Sequence, residues 1–152
     1  MKIVTLGNLI YEADKDDEVI KSNFARFNFK EESVDLIVCT NLTELRNNEV
    51  IPFLGKAKRA LKADGVLVIQ VPSAEYAAKK LFLNEITPEI LYMLYGGGDQ
   101  PYHTCYTMKM LRALIDTQGF ITFSAMDDII QMTSEQNVVQ IPVHTLRARK
   151  AA

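Results

Sequence analysis

Two continuous apolar runs of strand length, VDLIVCT at 34–40 and VLVIQV at 66–71, bracket a segment with helical periodicity. Neither run alternates apolar with polar residues. That is the pattern of strands covered on both faces, as in a parallel sheet flanked by helices. Between them Val50, Phe53, Leu54, Ala57 and Leu61 recur at helical spacing, and Lys56, Lys58, Arg59 and Lys62 occupy the remaining surface. Strand, helix and strand in this order predict a parallel crossover and an α/β fold. The helix is expected over 48–63, starting near Glu49 to Ile51 because Pro52 suits only a first turn, and stopping at Asp64-Gly65. Pro72 ends the second strand, and Ser73 is placed to cap the next helix, AEYAAKKLF.

The rest of the chain extends this alternation and then breaks it. MKIVTLGN reads as a short strand ending in a turn at Gly7-Asn8, and VIKSNFARFNF supplies a second short strand. The acidic EADKDDEV between them lacks the ligand spacing of a calcium loop and reads as an exposed turn or helix start. Thr87 and Pro88 open a helix that runs through EILYMLY into three glycines. Thr107 caps another, whose stripe is Met108, Leu111, Leu114 and Ile115 and whose end is Gly119. The tail holds two strand-like runs, FITFSAM and VVQIPVHTLRAR, separated by the loop DDIIQMTSEQN with no helix, so an antiparallel hairpin is expected. Pro142 cannot donate to a ladder, which predicts a bulge there or pairing only from Val143 onward; His144 reads as structural.

At 152 residues the chain is read as a single domain, 1–152, large enough to fold without metal or disulfide. No metal site is read. A net charge of −2 argues against a general grip on nucleic acid, and the basic end at Arg147, Arg149 and Lys150 reads as a solvated strand end. No run reaches the ~20 apolar residues of a membrane-spanning helix, and no secretory signal is read, so a cytoplasmic location is expected. Cys39, within an apolar run, reads as a small core residue; Cys105 lies in a polar loop beside His103.

In family order, FNFKEESVDLIVCTNLTEL, then FLGKAKRALKADGVLVIQVPS, then YGGGDQPYHTCYTMKMLRALIDTQGF resemble class I S-adenosylmethionine-dependent methyltransferases over about residues 20 to 125. The resemblance implies a doubly wound, mostly parallel Rossmann-like sheet closed by an antiparallel hairpin, whose last strand inserts beside the preceding parallel strands. In such sheets ligands sit outside the carboxyl ends of the strands, where strand order reverses. The residues gathered there, with S-adenosylmethionine as the implied cofactor, are Gly7, Asn8, Thr40 and Asn41, with Asp14 or Glu12 for the ribose and Asn23 near the adenine. Glu44 and His103 are the catalytic candidates, and Ser73, Tyr95 and Tyr102 the substrate-binding ones, the last two on a lid-like loop.

Three departures from the family pattern bear on activity. Only Gly7 remains of the G-x-G-x-G cofactor turn; the chain is too short before Asn23 for the usual strand, helix and strand; and Leu45 stands where the family carries His after Glu44. KIVTLGN is taken as the first family strand, because a wound sheet loses an outer strand more easily than its centre. Two functions follow: methyl transfer to a small-molecule or sugar acceptor, or a methyltransferase-like scaffold that transfers nothing. The scaffold reading expects an apolar patch where the missing helix would have covered the sheet, and with it a homo-oligomer or a larger partner subunit.

Overall fold

The computed structural model describes residues 1–7, 11–97, 100–134 and 137–151. Six strands form one sheet: β1 (Lys2–Leu6), β2 (Glu18–Ser22), β3 (Val34–Cys39), β4 (Leu61–Pro72), and the hairpin pair β7 (Phe120–Ser134) and β8 (Asn137–Lys150). Their spatial order is β2-β1-β3-β4-β8-β7. The β1, β2, β3 and β4 pairings are parallel; β8 runs antiparallel to both β4 and β7. β1 therefore lies inside the sheet with only β2 beyond it, the place expected for KIVTLGN. The link from Gly7 to Asp17 is just under the dozen or so residues that a parallel crossover usually takes. Among its described residues there is a turn and no helix.

Helices α1 (Asn47–Ala60), α2 (Ala74–Phe82), α3 (Pro88–Tyr95) and α4 (Met108–Thr117) complete the chain, with a two-residue ladder joining β5 (Gly96–Gly97) to β6 (Gln100–Pro101). The predicted caps are in place. Ser73, Thr87 and Thr107 each accept, through the side-chain oxygen, from the backbone N–H three residues on. α1 starts earlier than expected, because the Glu49 carboxylate accepts from the Arg46 N–H at 3.1 Å and stabilises a first turn before Pro52. It also ends earlier, at Ala60 rather than Asp64-Gly65, since Leu61 already pairs with Val34.

The main core lies under α1 and α4. Val50, Phe53, Leu54 and Ala57 of the predicted stripe are buried there with Leu67, Ile69 and Val71 of β4 and Leu146 and Ala148 of β8. A second cluster, Ala77, Ile90, Met93, Ile141 and Val143, holds α2 and α3 against the hairpin.

The tail hairpin corrects the expected loop DDIIQMTSEQN. The ladder continues through Asp127↔His144 and Ile130↔Ile141 to Ser134↔Asn137. The Asp pair reads as a breaker in sequence, yet on a terminal strand a carboxylate can face water while its backbone still pairs. Pro142 is placed as anticipated. β8 meets β4 only from Val143 onward, and the Pro142 carbonyl accepts from Ser73 N–H where β4 has ended. The bulge falls elsewhere, between Thr122 and Ser124.

Along β4, residues alternate between the core and the opposite side. On that side Leu36, Val38, Val66, Val68, Gln70, Phe123 and Arg147 line a hollow of about 540 Å³. Met1, Tyr11, Asp35 and Asp64 complete its lining, so the described part of the link after β1 borders the apolar patch expected on this face.

Candidate active site at the carboxyl edge of the sheet

The strand ends place Gly7, Thr40 and Ser73 along one edge. Gly7 has φ +99°, a conformation that L side chains rarely adopt, and a Cβ there would lie 2.1 Å from Thr40 Oγ1. Its missing side chain thus lets the turn after β1 close onto the end of β3. Thr40 ties the two ends together: its N–H and its hydroxyl both donate to the Leu6 carbonyl, at 3.0 and 3.2 Å. Beyond Thr40, a 3₁₀ turn (Leu42–Glu44) brings Glu44 back toward Asn41, whose amide donates to its carboxylate at 3.0 Å. Burial pushes the Glu44 carboxyl above its ordinary value, and the Asn41 bond only partly offsets this.

The segment from Tyr102 to Tyr106 is tied to the same edge at both ends. The His103 and Thr104 N–H groups donate to the Thr43 carbonyl at 2.8 and 3.2 Å, and Tyr106 bridges Ser73. Tyr102 packs edge-on to Tyr92 at 6.0 Å, and burial, with Tyr92 beside it, raises its phenol well above the usual value. Thr43 Oγ1 is buried here without a hydrogen-bond partner among the described residues. Glu44 and Tyr102, partly buried beside the fully buried Thr43, form a polar wall at which the Glu44 carboxylate can accept a proton or a hydrogen bond. His103 is anchored through its backbone to this wall and its side chain is exposed; Tyr95 is 67% exposed. Gly96-Gly97 and Gln100-Pro101 pair as a small ladder.

The donor side is placed differently. Asn8 lies outside the described residues. Asp14 is not beside Gly7. Its N–H donates to Asp17, whose carboxylate pairs with the Met1 amino group at 3.0 Å, at the edge where β1 and β2 begin. The reason is geometric: the Gly7–Asp17 link must return to the start of β2, so a residue late in it ends at the amino edge. Asn23 does stand at the carboxyl end of β2, but its side-chain oxygen caps the next turn, accepting from Arg26 N–H at 2.8 Å. Thr40 is turned onto the Leu6 carbonyl and Asn41 onto Glu44.

One cluster escaped the sequence reading. His144 is 3% exposed, with Nδ1 2.6 Å from Asp127 Oδ1 and Nε2 against Glu75. Both nitrogens can donate at once only in the doubly protonated ring. Glu75 also accepts from Met108 N–H at 2.9 Å, so one carboxylate joins the starts of α2 and α4 to the hairpin. Burial works against its charge, but its own backbone N–H, His144 and Met108 N–H outweigh that and hold its carboxyl below the ordinary value. With Ser73, Tyr76 and Lys79 the cluster lines a cleft of about 440 Å³. The signal was Glu75 in the first turn after a Ser cap; the Asp127–His144 pairing was hidden because the segment read as loop.

Comparison with known proteins agrees with this architecture. Residues 7–69 match a family model described as a methyltransferase domain. No curated protein matches the chain in sequence. A SAM-dependent methyltransferase from Methanosarcina mazei aligns with TM-score 0.66 and 14% identity, over 99% of this chain and 92% of that one. The 1,6-didemethyltoxoflavin-N1-methyltransferase of Burkholderia thailandensis, solved with 1,6-didemethyltoxoflavin and S-adenosylhomocysteine, aligns with TM-score 0.57 and 13% identity, over 90% and 52%. A structure concerned with forming a thioacetal from a disulfide in echinomycin biosynthesis aligns with TM-score 0.59 and 14% identity, over 89% and 56%. The chain thus spans about half the length of the last two. It has the fold of the class I S-adenosylmethionine-dependent methyltransferases and, over residues 7–69, the sequence pattern of a methyltransferase domain.

Proposed function

We propose that this chain is a methyltransferase-like protein of the S-adenosylmethionine-dependent class, which holds a small-molecule or sugar acceptor and needs a second chain to complete its donor side. The observation that carries the acceptor half is Glu44, half-buried at the end of β3, with its carboxyl raised by burial and Asn41 bonded to it. Methyl transfer from a sulfonium needs alignment more than acid–base chemistry, so Leu45 in place of the family His is compatible with it. On the donor side, Gly7 is the one glycine present of the G-x-G-x-G cofactor turn. Two charge-assisted bonds to the donor's amino-acid end, at roughly 1.5–3 kcal/mol each, make about a hundredfold or more in affinity.

Calorimetric titration with S-adenosylmethionine and S-adenosylhomocysteine tests this. The dilute chain alone should bind weakly, and binding should strengthen when the second chain is present. Tight binding by the dilute monomer would refute the need for a partner. A second reading, a scaffold that transfers nothing, is favoured by the mutual engagement of Thr40, Asn41 and Asn23 with the chain's own atoms. No heat from either nucleoside in any assembled form would leave that reading.

A further inference from the structure

The open sheet face and one surface of the α2–α3 connection complement each other. The hollow has an aliphatic floor of Leu36, Val38, Val66 and Val68, a wall at Phe123, and Arg147 at its side. Met1, Tyr11, Asp35 and Asp64 border it too; Asp35 is paired with Lys62 at 2.8 Å, and Asp64 is exposed at the rim. The opposite character appears where α2 ends: Phe82 is 88% exposed, Leu83 49% and Ile86 54%, and the exposed Glu89 follows in the first turn of α3. A large apolar side chain left almost wholly in water forgoes about 1.5–3 kcal/mol of burial, and several together mark an interaction surface.

Both surfaces stand on the same side of the sheet. Ile141 and Val143, which pack with α2 and α3, are spaced two apart along β8 with Thr145 and Arg147, so they share the face on which Arg147 meets the hollow. The hollow lies toward the amino edge of the parallel strands and α2–α3 toward the carboxyl edge. A two-fold axis across the strands would bring each copy's apolar stretch to the other's hollow, with the exposed Glu89 available to pair with Arg147. We propose that a second copy of this chain covers the open face in this reciprocal way, its 82–89 stretch seated on Val66 and Val68. The covered face is separate from the crevice at the carboxyl edge, so this docking goes beyond the reading above and does not complete the donor side.

Sedimentation velocity of the whole chain over a concentration series, with no nucleoside added, tests the proposal. A dimer is expected for the native sequence. Phe82→Glu, at a site already in water, should give a folded monomer, as should Val68→Glu if it folds. Arg147→Glu should weaken dimerisation about tenfold or more, which is about 1.4 kcal/mol, and Glu89→Arg combined with it should restore the dimer. A native chain that stays monomeric at high concentration overturns the proposal. So does a dimer indifferent to Phe82→Glu, or charge reversals that fail to rescue each other. Because the assay contains no methyl donor, these failures remove the docking mode alone. A proven dimer that binds neither S-adenosylmethionine nor its product would instead remove the crevice reading.

Discussion

Replacing Gly7 with Ala should expose how the first strand end is built. At φ +99° a side chain costs about 1–2 kcal/mol through its own backbone. The new Cβ would also sit 2.1 Å from Thr40 Oγ1 and 3.3 Å from Thr40 Cβ, so one strand end must move. Such overpacking typically adds about 1–3 kcal/mol, and the single substitution should therefore cost about 2–5 kcal/mol. Thr40→Ala alone removes one hydroxyl bond to the Leu6 carbonyl, which keeps the Thr40 N–H, and should cost only about 0.5–1.5 kcal/mol. In the double variant the 2.1 Å overlap with Oγ1 disappears while the 3.3 Å approach to the residue-40 Cβ and the backbone cost remain, so the pair should be less destabilised than the sum by about 1–2 kcal/mol. Urea unfolding followed by far-UV circular dichroism, with unchanged slopes, measures all four corners. Strict additivity, or a Gly7→Ala variant as stable as the native chain, would refute the claim that the glycine serves strand packing rather than an open cofactor cradle.

Three further outcomes are expected. The Asp35 carboxyl is held below its ordinary value of 3.8, first by the Lys2 N–H and then by the Lys62 ammonium, so its stabilisation is complete above that value and lost as pH falls through the folded one. The stability gap between native chain and Asp35→Asn, measured by chemical unfolding, should therefore close in acid; a gap independent of pH would contradict this. Burial pushes the Cys39 thiol up to about 12, whereas Cys105 is exposed, so a thiol reagent at mildly alkaline pH should label one cysteine in the folded chain and both in urea. Two fast thiols in the folded state would show the β3 end to be open. His144→Leu should lower stability by about 1–3 kcal/mol through loss of both ring contacts, the cost being limited because the two carboxylate partners are substantially exposed and regain water. Asp127→Asn should cost far less, and a melting temperature unaffected by His144→Leu would show that the imidazole does not tie the hairpin to α2.

Much of the architecture is a local matter and could be read from the chain alone. Uninterrupted apolar runs mark β3 and β4 because both faces are designed to be covered, and the Val50 to Ala57 stripe marks α1 because one face is. Ser73, Thr87 and Thr107 announce helix starts, since a side-chain oxygen three residues before a free N–H works wherever it occurs. Positions that depend on register or on chain return were beyond reach. Asp14 sits at the amino edge because a short link must travel back to begin β2. His144 meets Asp127 because the hairpin ladder runs on through residues with loop-like composition, and Glu75 reaches it from far along the chain. The hollow beside Val66 and Val68 is set by how β3, β4, β8, Met1 and Tyr11 come together, and Gly7 meets Thr40 because two strand ends converge. Propensity and periodicity act over a few residues, so sequence settles which elements form; which side chains face each other across the sheet edge is decided when those elements pack.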